Sequence, residues 1–186
     1  MPSIEVMYKD LTFDKRVQTF CINPQFRCPN YGHSWACPPE APYMENNLLR
    51  YSKFFLIYAK FNLAAYVEKQ KRKHPKRSRK QIRNRFYTKS LLRDELEQEV
   101  IHFLKEYSES YDQCFILWDG HCRICEQKGY TGCAYDQNSP CRFPEKMRYS
   151  MEAVGIHVTN MVKNLNLPIE WPPQNFSYRF ALICLR

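Results

Sequence analysis

Cys114–Cys125 reads CFILWDGHCRIC. Cys114 to Trp118 are apolar and rich in strand formers, and Asp119-Gly120 is a turn pair that opens at once onto Cys122 and Cys125. The stretch predicts a buried strand, Cys114 to Asp119, that delivers the chain directly into a pair of thiols. Cys133 and Cys141 complete the spacing Cys-x2-Cys-x7-Cys-x7-Cys. Gly129 and Gly132 let the loop curl back, and Pro144 follows the last cysteine by three residues. Four thiolates suit tetrahedral zinc or a cubane iron–sulfur (4Fe-4S) cluster. A zinc ribbon normally shows two Cys-x2-Cys knuckles and this group has one, so the loose spacing and trailing proline favour iron–sulfur, with zinc as the alternative.

Outward from that strand, Leu92, Leu96, Val100, Phe103 and Tyr107 recur at helical spacing, with Asp94, Glu95, Glu97 and Glu99 in the early turns. They predict an amphipathic helix over Ser90–Ser108. Phe54 to Phe61 (FFLIYAKF) reads as a strand. Past the cysteines, Ser150 caps a short turn that Gly155 ends, and Val158–Leu165 continues as a helix. Pro168–Trp171 and Ser177–Leu185 are expected as two further strands, joined by a turn through Pro172 and Pro173. The 186 residues suit one domain, 1–186. The order of elements predicts an α+β fold: a sheet of about four strands with helices on one face, carrying two cysteine-rich metal-binding loops.

The second such loop is Cys21-x6-Cys28-x8-Cys37, closed by Pro38 and Pro39. It is one ligand short. If His33 fills the gap, the site is closed Cys3His zinc; if no protein group does, an iron–sulfur cluster keeps one iron open to an external ligand. A solvent-exposed loop histidine explains His33 equally well. Cys114 and Cys184 lie in apolar strands and read as small buried hydrophobes. His121 is placed to hydrogen-bond a cluster sulfur, and Arg142 to offset cluster charge, although exposed ion pairing accounts for Arg142 and Glu152 as well. His102 is expected to face water.

Nine cysteines form no even disulfide framework. Residues 1–20 lack a signal-peptide pattern, and Phe54–Ala59, the longest apolar run, is far too short for a bilayer. A cytoplasmic protein with no membrane association is the expectation, and in that compartment clustered cysteines bind metals or react as thiols. A thiol redox enzyme using Cys122 and Cys125 is disfavoured, because the single-turn helix of thioredoxin-like motifs is not evident. No glycine-rich phosphate loop and no serine–histidine–acid set is present.

The net charge of +9 is local. Residues 69–89 hold eleven Lys or Arg and no Asp or Glu, which leaves 17 basic against 19 acidic side chains elsewhere. Such a block reads as an exposed, partly disordered insertion or linker within the domain. The alternative is a nucleic-acid stripe, with Phe86 and Tyr87 stacking on bases beside Arg83 and Arg85.

Cys28-Pro29-Asn30-Tyr31-Gly32, Trp35-Ala36-Cys37-Pro38-Pro39, Gly120-His121-Cys122-Arg123-Ile124-Cys125, Cys141-Arg142-x-Pro144 and Ser150-Met151-Glu152-Ala153-x-Gly155-Ile156 together resemble the prokaryotic "predicted metal-binding protein" family, domain of unknown function 2284. The likeness runs from about Cys21 to the last strand. It implies metal binding and carries over Cys21, Cys28, Cys37, Cys122, Cys125, Cys133 and Cys141 as ligands. The basic segment departs from the family's usual pattern. So does His157, which stands where an aspartate helix cap is expected and should cost helix stability. The chain is thus expected to carry one or two iron–sulfur clusters, serving electron transfer with a redox protein partner or redox chemistry at an open iron. The competing expectation is a zinc-stabilised module that binds nucleic acid or another polyanion through its basic segment.

Overall fold

Lys53–Asn62 and Phe176–Leu185 pair antiparallel along their whole length, from Lys53 opposite Leu185 to Asn62 opposite Phe176. Both are almost continuously apolar because both faces of each are covered. Phe54, Leu56, Leu182 and Cys184 point into one core, and Phe55, Ile57, Ala59, Ala181, Ile183 and Leu185 into another on the opposite face. The computed structural model describes residues 2–24, 26–87, 91–170 and 172–186. Lys89, Ser90 and Trp171, which the sequence expectations include, lie outside them.

In chain order the elements are β1 (Ser3–Val6), β2 (Ile22–Asn23), β3 (Phe26–Arg27), α1 (Glu45–Leu48), β4 (Lys53–Asn62), α2 (Leu63–Lys73), α3 (Arg79–Tyr87), α4 (Leu91–Glu106), β5 (Cys114–Leu117), α5 (Ile124–Gln127), α6 (Val158–Asn164) and β6 (Phe176–Leu185). The main sheet has the order β1-β4-β6-β5 and is antiparallel throughout; β2 and β3 form a separate hairpin. An α+β fold with a four-stranded sheet matches the expectation. No helix among the described residues is long and apolar enough to cross a membrane.

The helices are not confined to one face. α2, α3 and α4 cover one side through Leu63, Val67, Ile82, Phe86, Leu92, Leu96, Val100 and Phe103. α1 and α6 cover the other through Leu48, Val158, Met161 and Val162. The sheet is buried twice because its two central strands have no polar face to leave in water. The described part of the basic segment likewise lies mostly in α2 and α3, since Ile82 and Phe86 interrupt the charges at helical spacing and bury, with Val67 just before the segment, in the core against the sheet.

Three smaller expectations change. Pro168–Glu170 is not a strand: Pro168 has no donor, Ile169 N–H bonds back to Leu167 O at 2.7 Å, and β4 and β5 already occupy both edges of β6. Cys114 is exposed rather than buried, because β5 is an edge strand and Cys114 begins it. His157 does cap α6, its Nδ1 accepting from Asn160 N–H at 3.3 Å, so the missing aspartate is partly replaced.

Gly155 ends the turn that Ser150 begins, where Ser150 Oγ accepts from Ala153 N–H at 3.1 Å. Its φ is +98°, and a Cβ there would lie 2.3 Å from Tyr43 Cε2. Gly155→Ala should therefore lower stability by about 3 kcal/mol, from backbone strain plus overpacking, read as a fall in the urea midpoint with unchanged slope.

Candidate metal centre

The β2–β3 hairpin solves a local problem that spacing left open. Cys21 and Cys28 flank it on opposite sides, and Cys28 N–H donates to Cys21 O at 2.7 Å, so residues seven apart in the chain stand opposite each other. Cys37 follows the turn that begins at Ser34 and is buried, while Cys21 and Cys28 are half-buried. Burial, with Cys28 close by, pushes the Cys21 thiol up to about 11. Burial also pushes Cys37 up to about 12; a Ser34 hydrogen bond opposes this, and the nearby sulfurs of Cys28, Cys21 and Cys122 add to it. Cys37 thus senses both cysteine groups.

The later group hangs from α4. One face of that helix packs on the sheet, and its first turns present Arg93, Asp94 and Glu97 to the loop. Arg93, only 9% exposed, donates to the carbonyls of Asp119 and His121. Its guanidinium lies against Gly120, where a Cβ would come within 2.9 Å of Nη2, so the turn into Cys122 requires glycine both for this approach and for a φ of +65°. Arg123 Nη2 meets Glu97 at 2.9 Å and Asp94 at 2.9 Å, and Arg148 Nη1 meets Glu97 at 2.7 Å.

Cys122, Cys125, Cys133 and Cys141 are all half-buried and line one pocket of about 30 Å3, together with apolar Ala36, Ile124, Phe143 and Met147. Among the described residues, no three Cys, His, Asp or Glu side chains stand in the close mutual arrangement of metal ligands. The donor set still fits a soft metal, being sulfur with apolar neighbours. Cys125 lies in α5, a single helical turn that spacing did not suggest, but it shares its pocket with Cys133 and Cys141 and is not an isolated dithiol with Cys122. Arg142 Nη1 sits 3.6 Å from Cys125 Sγ and 3.3 Å from Gly132 O. Its Nη2 donates to Gln137 Oε1 at 2.6 Å, and its guanidinium rests over Tyr130 at 4.7 Å. Arg142 faces a cysteine sulfur rather than a surface carboxylate.

The two loops clasp each other. Trp35 Nε1 donates to Ser139 O at 3.0 Å, the Trp35 and Tyr135 rings meet edge to face at 4.9 Å, and Tyr135 Oη donates to Glu40 Oε1 at 3.2 Å. His33 Nδ1 is 2.8 Å from Asp136 Oδ1, so the histidine proposed as a fourth ligand is engaged in this clasp, with both side chains about half exposed. His121, expected beside a cluster sulfur, instead contacts Arg93 at 3.4 Å and Glu126 at 3.8 Å. Burial and the Arg93 charge draw its pKa down.

Spacing and motif also missed a cavity of about 300 Å3 beside the loops, lined by Asp119, Glu152, Glu170, Arg179 and apolar side chains. Asp119 accepts from Arg179 Nη1 at 3.0 and 3.1 Å. Glu152 keeps solvent access at the cavity mouth yet is crowded by protein. That crowding, with Asp119 nearby, pushes its carboxyl up to about 7.

A family model described as "Predicted metal-binding protein (DUF2284)" matches residues 5–185. No curated protein and no solved structure matches the chain.

The raised Glu152 pKa has a defined sign. Folding favours its protonated form, so the associated stability is complete below the ordinary carboxyl range near 4.5 and is lost as pH rises through about 7. Glu152→Gln should raise the melting temperature at pH 8 and leave it nearly unchanged at pH 4.5. Equal shifts at both pH values would contradict the assignment.

Proposed function

Because the chain belongs to the DUF2284 family of predicted metal-binding proteins, we propose that it is a cytoplasmic iron–sulfur protein. In this reading Cys122, Cys125, Cys133 and Cys141 hold one 4Fe-4S cluster, and Cys21, Cys28 and Cys37 hold a second metal centre. The observation that carries the proposal is the single pocket lined by all four later cysteines. Such a group supplies one-electron redox chemistry, with its potential set by net charge, hydrogen bonds to sulfur and solvent exposure.

The chain's own residues would serve those three controls. Arg142 places a positive charge at the Cys125 sulfur. Ile124, Phe143 and Met147 limit water. Arg93, Arg123 and Arg148 would hold the loop's ends while the thiols close on the metal. The first group, with three thiols, leaves a position for an external ligand, and redox chemistry would reside there. Electron transfer to a protein partner would use the later group. A single zinc ion on the later four cysteines is the second reading, favoured by the small pocket, about 30 Å3.

Protein purified without oxygen should be brown and contain iron with acid-labile sulfide, and Cys125→Ser should remove one cluster's worth of both. Colourless protein carrying stoichiometric zinc would overturn the iron–sulfur reading. Arg142→Gln should shift the reduction potential of the later centre to more negative values, because the reduced, more anionic cluster loses a neighbouring cation. An unchanged potential would remove Arg142 from that role.

A further inference from the structure

Between residues 69 and 87 the chain carries ten Lys or Arg and no Asp or Glu. This charge is held in a built structure. α2 and α3 pack on each other, and Lys71 Nζ staples the turn between them by donating to Pro75 O at 2.6 Å and Arg77 O at 2.8 Å. Ser78 and Gln81 cap the start of α3 reciprocally, at 3.2 and 2.8 Å. Arg79 ties α3 to α2 through both carboxylate oxygens of Glu68, at 2.9 and 3.2 Å.

The apolar faces of both helices are consumed by the core. Leu63, Val67, Ile82 and Phe86 are each at most 3% exposed. Phe86 stacks on Phe61 at 4.8 Å, so it is not available for the base stacking that its place in the sequence suggests. Apart from Glu68, which pairs with Arg79, the charge that remains outside is cationic. Lys69, Arg72 and Lys73 are exposed at i, i+3 and i+4 on α2, and Lys76, Arg79, Lys80 and Arg85 continue the exposed charge through the turn and α3. Between the helices lies a notch of about 220 Å3, lined by Tyr66, Gln70, His74, Arg77, Ile82 and Arg85. Amide, imidazole and guanidinium groups meet there without a carboxylate, which is the chemistry of an oxyanion site.

We propose that the α2–α3 hairpin is a nucleic-acid-binding arm that grips the phosphodiester backbone. The notch takes one phosphate, and the exposed cations engage its neighbours. Three features select this partner. Cations at i and i+4 stand about 6 Å apart along a helix, and the set spans two helices, so one small anion cannot satisfy it whereas a repeating anion does. Among the described residues, none of the large exposed apolar side chains belongs to this hairpin, so that face lacks the apolar half that a membrane-surface helix inserts. The rest of the chain is slightly acidic by sequence, which directs a polyanion to this arm alone. With Phe86 buried and the Tyr87 side chain outside those described, the described residues supply recognition of backbone charge, which carries little base preference.

The arm does not depend on which metal the cysteines hold, and the test separates the two. Fluorescence anisotropy of metal-replete protein with a labelled DNA duplex and a labelled RNA single strand, each of about 20 nucleotides per strand, should show binding at about 50 mM salt. The duplex affinity should fall with a log–log salt slope of about −4 to −5, as four to six neutralised phosphates require. Lys69→Glu, Arg72→Glu and Lys73→Glu combined should weaken binding at least tenfold and flatten that slope by about two to three units, with metal content and melting temperature unchanged. The corresponding triple alanine variant gives the same readout should the glutamates unfold the helix, with a smaller loss. Arg77→Gln with Arg85→Gln tests the notch and should also weaken binding. Absence of salt-dependent binding by the intact protein, unaltered binding by the triple variants, or capture of anionic phospholipid vesicles with no nucleic acid bound would overturn the proposal.

Discussion

Glu97 is the point to which the cysteine chemistry is referred. Its carboxylate accepts from Arg123, immediately after Cys122, and from Arg148, seven residues after Cys141, so one side chain closes both ends of the later loop. The three side chains are between 16% and 23% exposed, which makes these contacts less screened than ordinary surface pairs. Glu97 can serve this way because the opposite face of α4 is locked to the sheet through Leu92, Leu96, Val100 and Phe103. Sheet, helix, carboxylate and loop form one mechanical series. Removing the carboxylate would leave two partly buried guanidiniums competing for Asp94 and solvent.

A second constraint couples the two loops. Trp35, Tyr135, Glu40, Ser139, His33 and Asp136 bind residues about a hundred positions apart. Their contacts explain how Cys37 comes to sense Cys122. The raised pKa values of Cys21, Cys37 and Cys141 mean that burial keeps these thiols protonated, so a metal must displace protons to bind. Arginines are the natural compensation for the thiolates then formed. Arg142 faces a sulfur directly, while Arg93, Arg123, Arg148 and Arg179 are already committed to Asp94, Glu97 and Asp119.

The sheet and the long helix were legible because their signals are local: β4 and β6 are unbroken apolar runs, and α4 repeats Leu92, Leu96, Val100 and Phe103. β1 was missed, since Ser3–Val6 is short and becomes a strand only by pairing with Phe54–Ile57. The helices of the basic segment were missed because ten charges outweighed the few apolar residues at helical spacing. In the site, cysteine spacing identified the candidate groups but could not show that β2–β3 sets Cys21 against Cys28. Nor could it show that Arg93, Glu97 and Arg148 anchor the loop, because those contacts join residues 26 to 51 positions apart. Arg93 had one readable sign, a cation breaking into the apolar side of a helix between Leu92 and Leu96.

The two populations of cations divide the molecule. Around the cysteine loop each named arginine but one meets a carboxylate, so that region gains rigidity from its charges and little net field. The hairpin has the opposite balance: Glu68 answers Arg79, and residues 69–87 contain no further acid to answer the rest. Paired charge fixes geometry, and an excess of charge of one sign attracts a partner. The net charge of +9 is therefore a property of the α2–α3 arm, placed on a helical pair whose apolar residues secure it to the sheet. The exception near the cysteines is Arg142, whose uncompensated cation lies beside a sulfur, where a bound metal's thiolates would need it most.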